Sequence, residues 1–456
     1  MTVTHSGNAL AAGDATRPAP APGPGFVLLG AVQMALIFTL TSLVVPLPSI
    51  GRELSLARDE LILLSAAYGL TFAGLLLFGG RLADRYGGRR ALTAGLLVFT
   101  AASLAAPFTQ GPAALLTARF AQGAGAALTA PAAMAVLRAL FPRPAAYGRA
   151  MTTWGGLSVL GATAGNLLSG AISALTDWRS TFAVPVVVAV AALALAPRLL
   201  PATPPGEGRS LDIPGALLAT AGITLSGYGL VLTDAHPWRS PAVLVPMLTG
   251  AVLLVAFAVV ERRARDPLLP PGFLRGRRRA RALAVIALTA AGTATTFVLL
   301  SLHLQQDRNW SVLRTSAAFV PYAATLLLAG RTTGPLIARR GARAVTGFGL
   351  AIAAAGLGTL ALLGLAPHHP YAYGLLPGLL LLAAGSALGF AGGAVLATEG
   401  VEPHQAGLAG GVMNTAMELG PTVVFAALLT LGSDAISLAA TAVAFAVLAV
   451  FHGRSN

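Results

Sequence analysis

Three charged residues of this chain stand where charge is costly or conspicuous. Arg119 lies inside an apolar run at 113–137, and Glu418 is the one carboxylate well inside such a run, at 407–431. Asp84 sits among arginines in residues 79–90, Gly-Gly-Arg-Leu-Ala-Asp-Arg-Tyr-Gly-Gly-Arg-Arg. A charge at the bilayer centre costs about 2.5–3.5 kcal/mol on insertion scales, so Arg119 must face a cavity or a partner, such as the free carbonyls of a helix end. A carboxyl in apolar surroundings gains or loses its proton according to its access to water, which is what a proton carrier requires. A permanently protonated Glu418 bonded to a neighbour satisfies the same pattern. Asp84 suits either the exposed N–H groups of a helix start or a neighbouring arginine, Arg85 or Arg89. Gly80 and Gly87 allow tight turns around it. The segment therefore reads as a latch between two parts of the molecule, or as a topogenic hairpin whose arginines only hold it on one side.

The elements that must position these residues are apolar helices. The 456 residues are 55% hydrophobic and 10% charged, where a soluble protein carries about 25% charged residues. Fourteen apolar runs, each long enough to cross a hydrocarbon core, fall at 26–47, 61–80, 91–109, 113–137, 150–174, 180–200, 211–233, 241–260, 281–303, 315–337, 344–366, 373–397, 407–431 and 434–452. Residues 1–25 read as a disordered tail rather than a cleaved signal. All 30 basic residues are arginine. With the N-terminus inside, 22 of them fall on the cytoplasmic side and six on the other, while Arg119 and Arg331 lie within runs. That asymmetry places both termini in the cytoplasm of a multi-pass protein.

The absence of lysine rules out a G-x-x-x-x-G-K-[ST] phosphate loop and a Schiff-base lysine, so no ATP-driven chemistry is expected of this chain alone. There is no cysteine, hence no disulfide or thiolate metal site, and no metal is expected. The arginines lie in short loops rather than on a basic face, which argues against nucleic acid. The histidines His236, His303, His368, His369 and His404 are scattered over different loops. They form no cluster for a membrane enzyme.

The 79–90 segment returns in degraded form at 334–343, Gly-Pro-Leu-Ile-Ala-Arg-Arg-Gly-Ala-Arg. Gly80, Leu82, Arg85, Gly87 and Arg89 match Gly334, Leu336, Arg339, Gly341 and Arg343, while Asp84 is answered by Ala338. Two copies imply two related halves, a common plan for secondary transporters. The first copy joins runs two and three and the second joins runs ten and eleven. That displacement predicts six helices, an inserted pair and six more. The boundaries are 26–200 for the first bundle, 201–280 for the inserted pair with a basic linker, and 281–456 for the second bundle.

The 79–90 segment resembles the signature loop of the major facilitator superfamily, and further motifs resemble its 14-helix drug:proton antiporters. Arg119-Phe-Ala-Gln122-Gly-Ala-Gly-Ala-Ala is similar to R-x-x-Q-G-x-G-A, and Asp177-Trp178-Arg179 to the W-R motif. Leu211-Asp-Ile-Pro and Glu261-Arg-Arg…Asp266-Pro-Leu-Leu resemble the inserted pair and its exit; Leu304-Gln-Gln…Phe319-Val-Pro321 and Gly410-Gly-Val-Met-Asn-Thr415 resemble later blocks. Gly155, Gly156, Gly161, Gly165 and Gly170 resemble the antiporter motif of the fifth helix, with Asn166 among its substitutions. In the first run Thr39 stands where the family pattern has an acid.

The resemblance implies an all-α integral membrane protein of the major facilitator fold, with 14 transmembrane helices arranged 6+2+6 in the plasma membrane. It implies export of drugs or other amphipathic small organic compounds, driven by protons without a bound cofactor, by a monomer. Arg119 and Glu418 are the candidates for proton coupling, with Glu418 standing in for the missing acid. Thr39, Gln122, Asn166, Gln305, Gln306 and Asn414 are candidates to line a substrate cavity. Uptake or facilitated diffusion of a metabolite is the alternative within the same fold, and a membrane enzyme a remote one.

Overall fold

A long apolar run crosses lipid as a helix because each backbone N–H and C=O must find a partner without water. A computed structural model of the chain describes residues 23–43, 46–56, 58–202, 212–234, 236–264, 267, 269, 272–274, 276–364, 369–402, 405–429 and 434–454. The tail read at 1–25 lies almost wholly outside them. The described residues are helical with no strand. The order is α1 (Pro24–Thr41), α2 (Leu47–Glu53), α3 (Arg58–Tyr86), α4 (Gly88–Ala105), α5 (Pro112–Leu140), α6 (Pro144–Leu175), α7 (Ala183–Leu199) and α8 (Ile213–Val231). It continues with α9 (Pro241–Glu261), α10 (Arg277–Leu302), α11 (Val312–Ala318), α12 (Val320–Thr359), α13 (Tyr371–Gly374), α14 (Leu376–Thr398), α15 (Ala406–Leu429) and α16 (Asp434–Arg454).

Eleven of the described helices are long and apolar enough to cross a membrane. One of the eleven, Val320–Gly364, covers two of the sequence runs, and α6 and α15 occupy two further runs outside the eleven. The long α12 is not straight. Gly341 within it has φ 78° and ψ 153°, so the chain turns there. Gly87, between α3 and α4, has φ 87° and ψ 140°. The repeated segment therefore repeats a backbone conformation as well as residues.

Prolines shift several expected boundaries. The run at 26–47 ends as α1 at Thr41, ahead of Pro46, and a short α2 follows, as expected because proline disfavours helix in the residue before it. The run at 315–337 divides, so that α12 starts at Val320 with Pro321 in its first turn. At the other boundary, α10 begins at Arg277, inside the segment read as linker.

Small residues let the helices approach closely. A Cβ on Gly349 would lie 2.5 Å from the Gly389 nitrogen of α14, and one on Gly125 of α5 would lie 2.7 Å from the Phe99 Cα of α4. One apolar core gathers around α1 and α3–α7 and takes in Ile286 of α10, Phe390 of α14 and Met413 of α15, and a second gathers around α10, α12, α14 and α16. The α8–α9 pair leans on α3, where Thr220 Oγ1 donates to Gly74 O at 3.1 Å and Thr224 Oγ1 to Leu70 O at 3.3 Å. On its far side, α9 exposes Val245, Leu248, Val252 and Val255, as a lipid-facing helix does.

Gly341 has nothing within 4 Å of where a Cβ would sit, so only its backbone conformation resists substitution. Gly341→Ala should destabilise by about 1–3 kcal/mol, the range for a residue held in a sparsely populated region. Gly358, also uncrowded but inside helical backbone, should tolerate alanine or gain slightly. Thermal unfolding of the two variants in detergent reads the contrast, and equal effects would refute it.

Candidate functional site

The first N–H groups of an α-helix have no partner within the helix and carry a partial positive charge. At α15 they are met by a carboxylate from the other half of the molecule. Asp84, buried near the end of α3, accepts from Gly407 N at 2.5 Å and Leu408 N at 2.8 Å. Glycine makes the approach possible. A Cβ on Gly407 would collide with Gly80 O and lie 2.6 Å from Asp84 Oδ1, and one on Gly411 would lie 2.8 Å from Leu76 O.

The arginines of the same segment reach other partners. Arg81 donates to Pro267 O beyond α9. Arg89 donates to Leu200 O at 3.1 Å and Pro197 O at 3.4 Å, the carbonyl end of α7. Arg85 lies with its guanidinium 5.4 Å from the Tyr86 ring centroid. At the second copy Ala338 offers no charge. The neighbouring contact there is apolar, with Gly148 of α6 against the Ile337 side chain.

Arg119 on α5 is fully buried. Its Nη1 donates to Thr39 O at 3.0 Å and to Gln122 Oε1 at 3.2 Å, and Gln122 Nε2 donates to Ser103 Oγ at 2.9 Å. Because α1 stops at Thr41, the Thr39 carbonyl lies in its last turn, where the helix end favours a cation. The guanidinium also stands 5.0 Å from the ring centroid of Tyr68, whose hydroxyl donates to Leu36 O at 2.9 Å. Arg119 Nε and Nη2 have no hydrogen-bond partner among the described residues.

Glu418 is half-buried on α15. It lies seven residues beyond Gly411, and Tyr68 lies eight residues before Leu76, the residue that Gly411 touches. At 1.5 Å per residue these offsets are about 10 and 12 Å. The two helices run in opposite directions, so Glu418 and Tyr68 stand at one level.

A cavity of about 250 Å³ opens between the halves. Its walls include Gly155, Ser158 and Ala162 of α6, then Thr289, Thr293 and Phe297 of α10, Tyr322 of α12, and Ser386 and Phe390 of α14. Gln33 of α1 donates to Ser158 Oγ at 2.9 Å behind the α6 wall.

Four of the six cavity candidates read from the sequence, Thr39, Gln122, Gln305 and Asn414, are not among its described walls. Thr39 and Gln122 belong to the Arg119 cluster, and Asn414 is bound to Gly410 O at 2.9 Å and Met134 Sδ at 3.1 Å. Gln305 sits in the π turn His303–Asp307 at the far end of α10. The side chains of Asn166 and Gln306 lie outside the described residues. In that π turn Arg308 Nε donates to His303 Nε2 at 3.1 Å, which leaves Nδ1 to donate to Asp307 Oδ2 at 2.7 Å. Tyr68 and the hydroxyls of α10, α12 and α14 were missed. The i, i+4 spacing of Thr289 and Thr293 was the available signal.

The W-R motif has a structural partner. Trp178 Nε1 donates to Glu53 Oε2 at 2.7 Å, and Arg179 Nη1 lies 2.7 Å from Glu53 Oε1. The indole N–H and the guanidinium together hold the Glu53 carboxyl below the usual carboxylate range.

A polytopic helical membrane protein with two packed halves, a charged contact at one end and a ligand-sized cavity between them has the build of a solute transporter. The chain belongs to the Major Facilitator Superfamily, whose family pattern matches residues 27–425. It is 37% identical over 415 residues to the cephamycin export protein CmcT of Amycolatopsis lactamdurans, covering 90% of this chain and 85% of that protein. It is 35% identical over 426 residues to the puromycin resistance protein pur8 of Streptomyces alboniger, covering 92% and 83%. The fold matches the human organic anion transporter MFSD10 with a TM-score of 0.68 at 18% identity, covering 96% of this chain and 100% of that one. It matches the proton:xylose symporter XylE with a TM-score of 0.64 at 13% identity, covering 94% of each.

The native chain has no cysteine, so a single cysteine at Ala409, buried in the α15 contact, reports opening of the arginine-rich end. Asp84→Ala should speed thiol labelling there about tenfold or more, as expected for the loss of charge-assisted hydrogen bonds. An unchanged rate would refute the contact's role.

At the opposite end, the folded Glu53 carboxyl titrates below its unfolded value of about 4.3. Its contribution to stability is therefore complete above that value and lost as pH falls through the lower, folded one. Glu53→Gln should flatten this acid limb in thermal unfolding curves measured from pH 6 to 3. A limb of undiminished depth would count against the assignment.

Proposed function

We propose that this protein is a proton-coupled secondary active transporter exporting amphipathic small organic compounds by alternating access. The observation that carries this reading is the ligand-sized cavity between the halves, beneath an end closed by Asp84 and close glycine packing. Resemblance to drug-export and resistance proteins along most of the chain supports the direction of transport. The proposed architecture is fourteen crossings in the plasma membrane, six in 26–200, an inserted pair in 201–280 and six in 281–456, with both termini cytoplasmic. The protein works as a monomer, uses the proton gradient, and needs neither ATP nor a cofactor.

In this scheme Asp84 is the latch, with Gly80 and Gly87 shaping its segment and Arg85 and Arg89 steadying it. Release of α15 opens the cytoplasmic end. Glu418 carries the proton, at the level of Tyr68, whose ring lies against the fixed charge of Arg119. One proton entering down an inside-negative potential of 100 mV supplies about 2.3 kcal/mol, enough for tens-fold accumulation outside.

Thr39 favours the second reading, uptake or facilitated diffusion, because the customary first-helix acid is absent and Arg119 rests instead on a helix-end carbonyl.

Dye retention in energised cells decides between them. For export, collapse of the proton gradient raises retained dye several-fold, and Glu418→Gln reproduces that rise without further response to pH. No change on collapse would exclude antiport, and unchanged pH-dependent transport in Glu418→Gln would exclude this residue as the carrier.

A further inference from the structure

The two walls of the cavity differ in chemistry. The α6 side presents small residues, Gly155 and Ala162, with Ser158 tied back to Gln33. The second half supplies a fixed polar edge. Thr293 Oγ1 and the Tyr322 hydroxyl are 3.1 Å apart, and Ser386 lies beside that hydroxyl. The Tyr322 ring is held edge-on to Phe297, with centroids 5.1 Å apart and planes at 82°. Phe297 in turn stacks on Phe319 at 4.2 Å.

One hydroxyl of this edge lacks a partner. Thr289 is only 4% exposed, and its Oγ1 has no hydrogen bond among the described residues. Buried helix threonines commonly bond back to the carbonyl four residues earlier, as Thr296 does to Gly292 O at 2.7 Å. Thr289 does not. Buried polar atoms are normally satisfied, so an orphan hydroxyl in the cavity wall, beside Thr293, Tyr322 and Ser386, calls for a ligand.

No charged residue lines this cavity among the described residues. Glu418 follows the lining residue Met417 but is matched in level to Tyr68 on α3. A charged ligand would be desolvated here without a counter-ion, whereas an uncharged one would not meet that penalty.

We infer that Thr289, Thr293, Tyr322 and Ser386 form the specificity-determining edge of a site for uncharged ring compounds bearing hydroxyl, carbonyl or amide groups. The ring body lies against Phe297 and the smooth α6 wall, and its polar groups complete Thr289 and extend the Thr293–Tyr322–Ser386 chain of hydroxyls. This assignment rests on the transport reading above, but binding tests it without any gradient.

Equilibrium dialysis of the full-length protein in detergent would use three radiolabelled probes. Chloramphenicol is uncharged, with one ring and hydroxyl and amide groups; tetraphenylphosphonium is a permanent cation; salicylate is a carboxylate. Chloramphenicol should bind tightest. Tyr322→Phe and Ser386→Ala should each raise its Kd about three- to tenfold, the range for losing one neutral hydrogen bond. Thr289→Ser, which keeps the hydroxyl, should bind like the native protein, with thermal unfolding confirming that every variant is folded. Equal or tighter binding of either ion, no binding of chloramphenicol, or a Kd unmoved by both Tyr322→Phe and Ser386→Ala overturns the inference. Intact chloramphenicol binding without export in energised vesicles would overturn the exporter reading and leave this site standing.

Discussion

A carboxylate at the start of a helix gains from two effects at once, unpaired N–H donors and the positive end of the helix dipole. Asp84 exploits both across the interface between halves, accepting from Gly407 and Leu408 at the beginning of α15. The surrounding structure serves this contact. Gly80 and Gly411 remove the side chains that would hold α3 and α15 apart, and Gly87 turns the chain so that α4 can follow. Arg81 and Arg89 fasten the same short segment to the linker after α9 and to the end of α7. One loop thus touches the end of α7, the segment after α9 and the start of α15.

Charge and ligand chemistry are divided between the halves. Arg119, its partners Thr39 and Gln122, and Tyr68 all belong to the first half, and Glu418 of α15 stands at the level of Tyr68. Most of the polar and aromatic lining of the cavity comes from α10, α12 and α14. In the proposed scheme a proton on Glu418 and a ligand in the cavity would not compete for one carboxylate, and α15, which carries Glu418 next to the lining residue Met417, would link them.

The fold was legible where the sequence contained a physical requirement. The glycine repeat demanded the same turn twice, and Gly87 and Gly341 deliver it. Asp84 among arginines offered two partners, and the helix start is the one its carboxylate oxygens reach. Boundaries were less legible because single prolines, Pro46 and Pro321, override long apolar runs. The cavity was least legible. Polar residues such as Thr39, Gln122 and Asn414 attract notice in an apolar run, yet each is satisfied by its own neighbourhood. The residues that do line the cavity are serine, threonine and tyrosine, which run-level hydropathy barely registers. Which way they point is set by helix rotation, and that is decided by packing against the other helices.

The two groups that Asp84 meets on α15 are backbone N–H groups. Any sequence that starts a helix at this point, with glycine at 407, offers the same two donors. A change at Leu408 that keeps the helix therefore leaves both bonds in place, whereas a side chain at 407 would run into the Gly80 carbonyl. In the second copy of the segment Ala338 stands where Asp84 stands in the first, so that copy has no carboxylate with which to make the same grip.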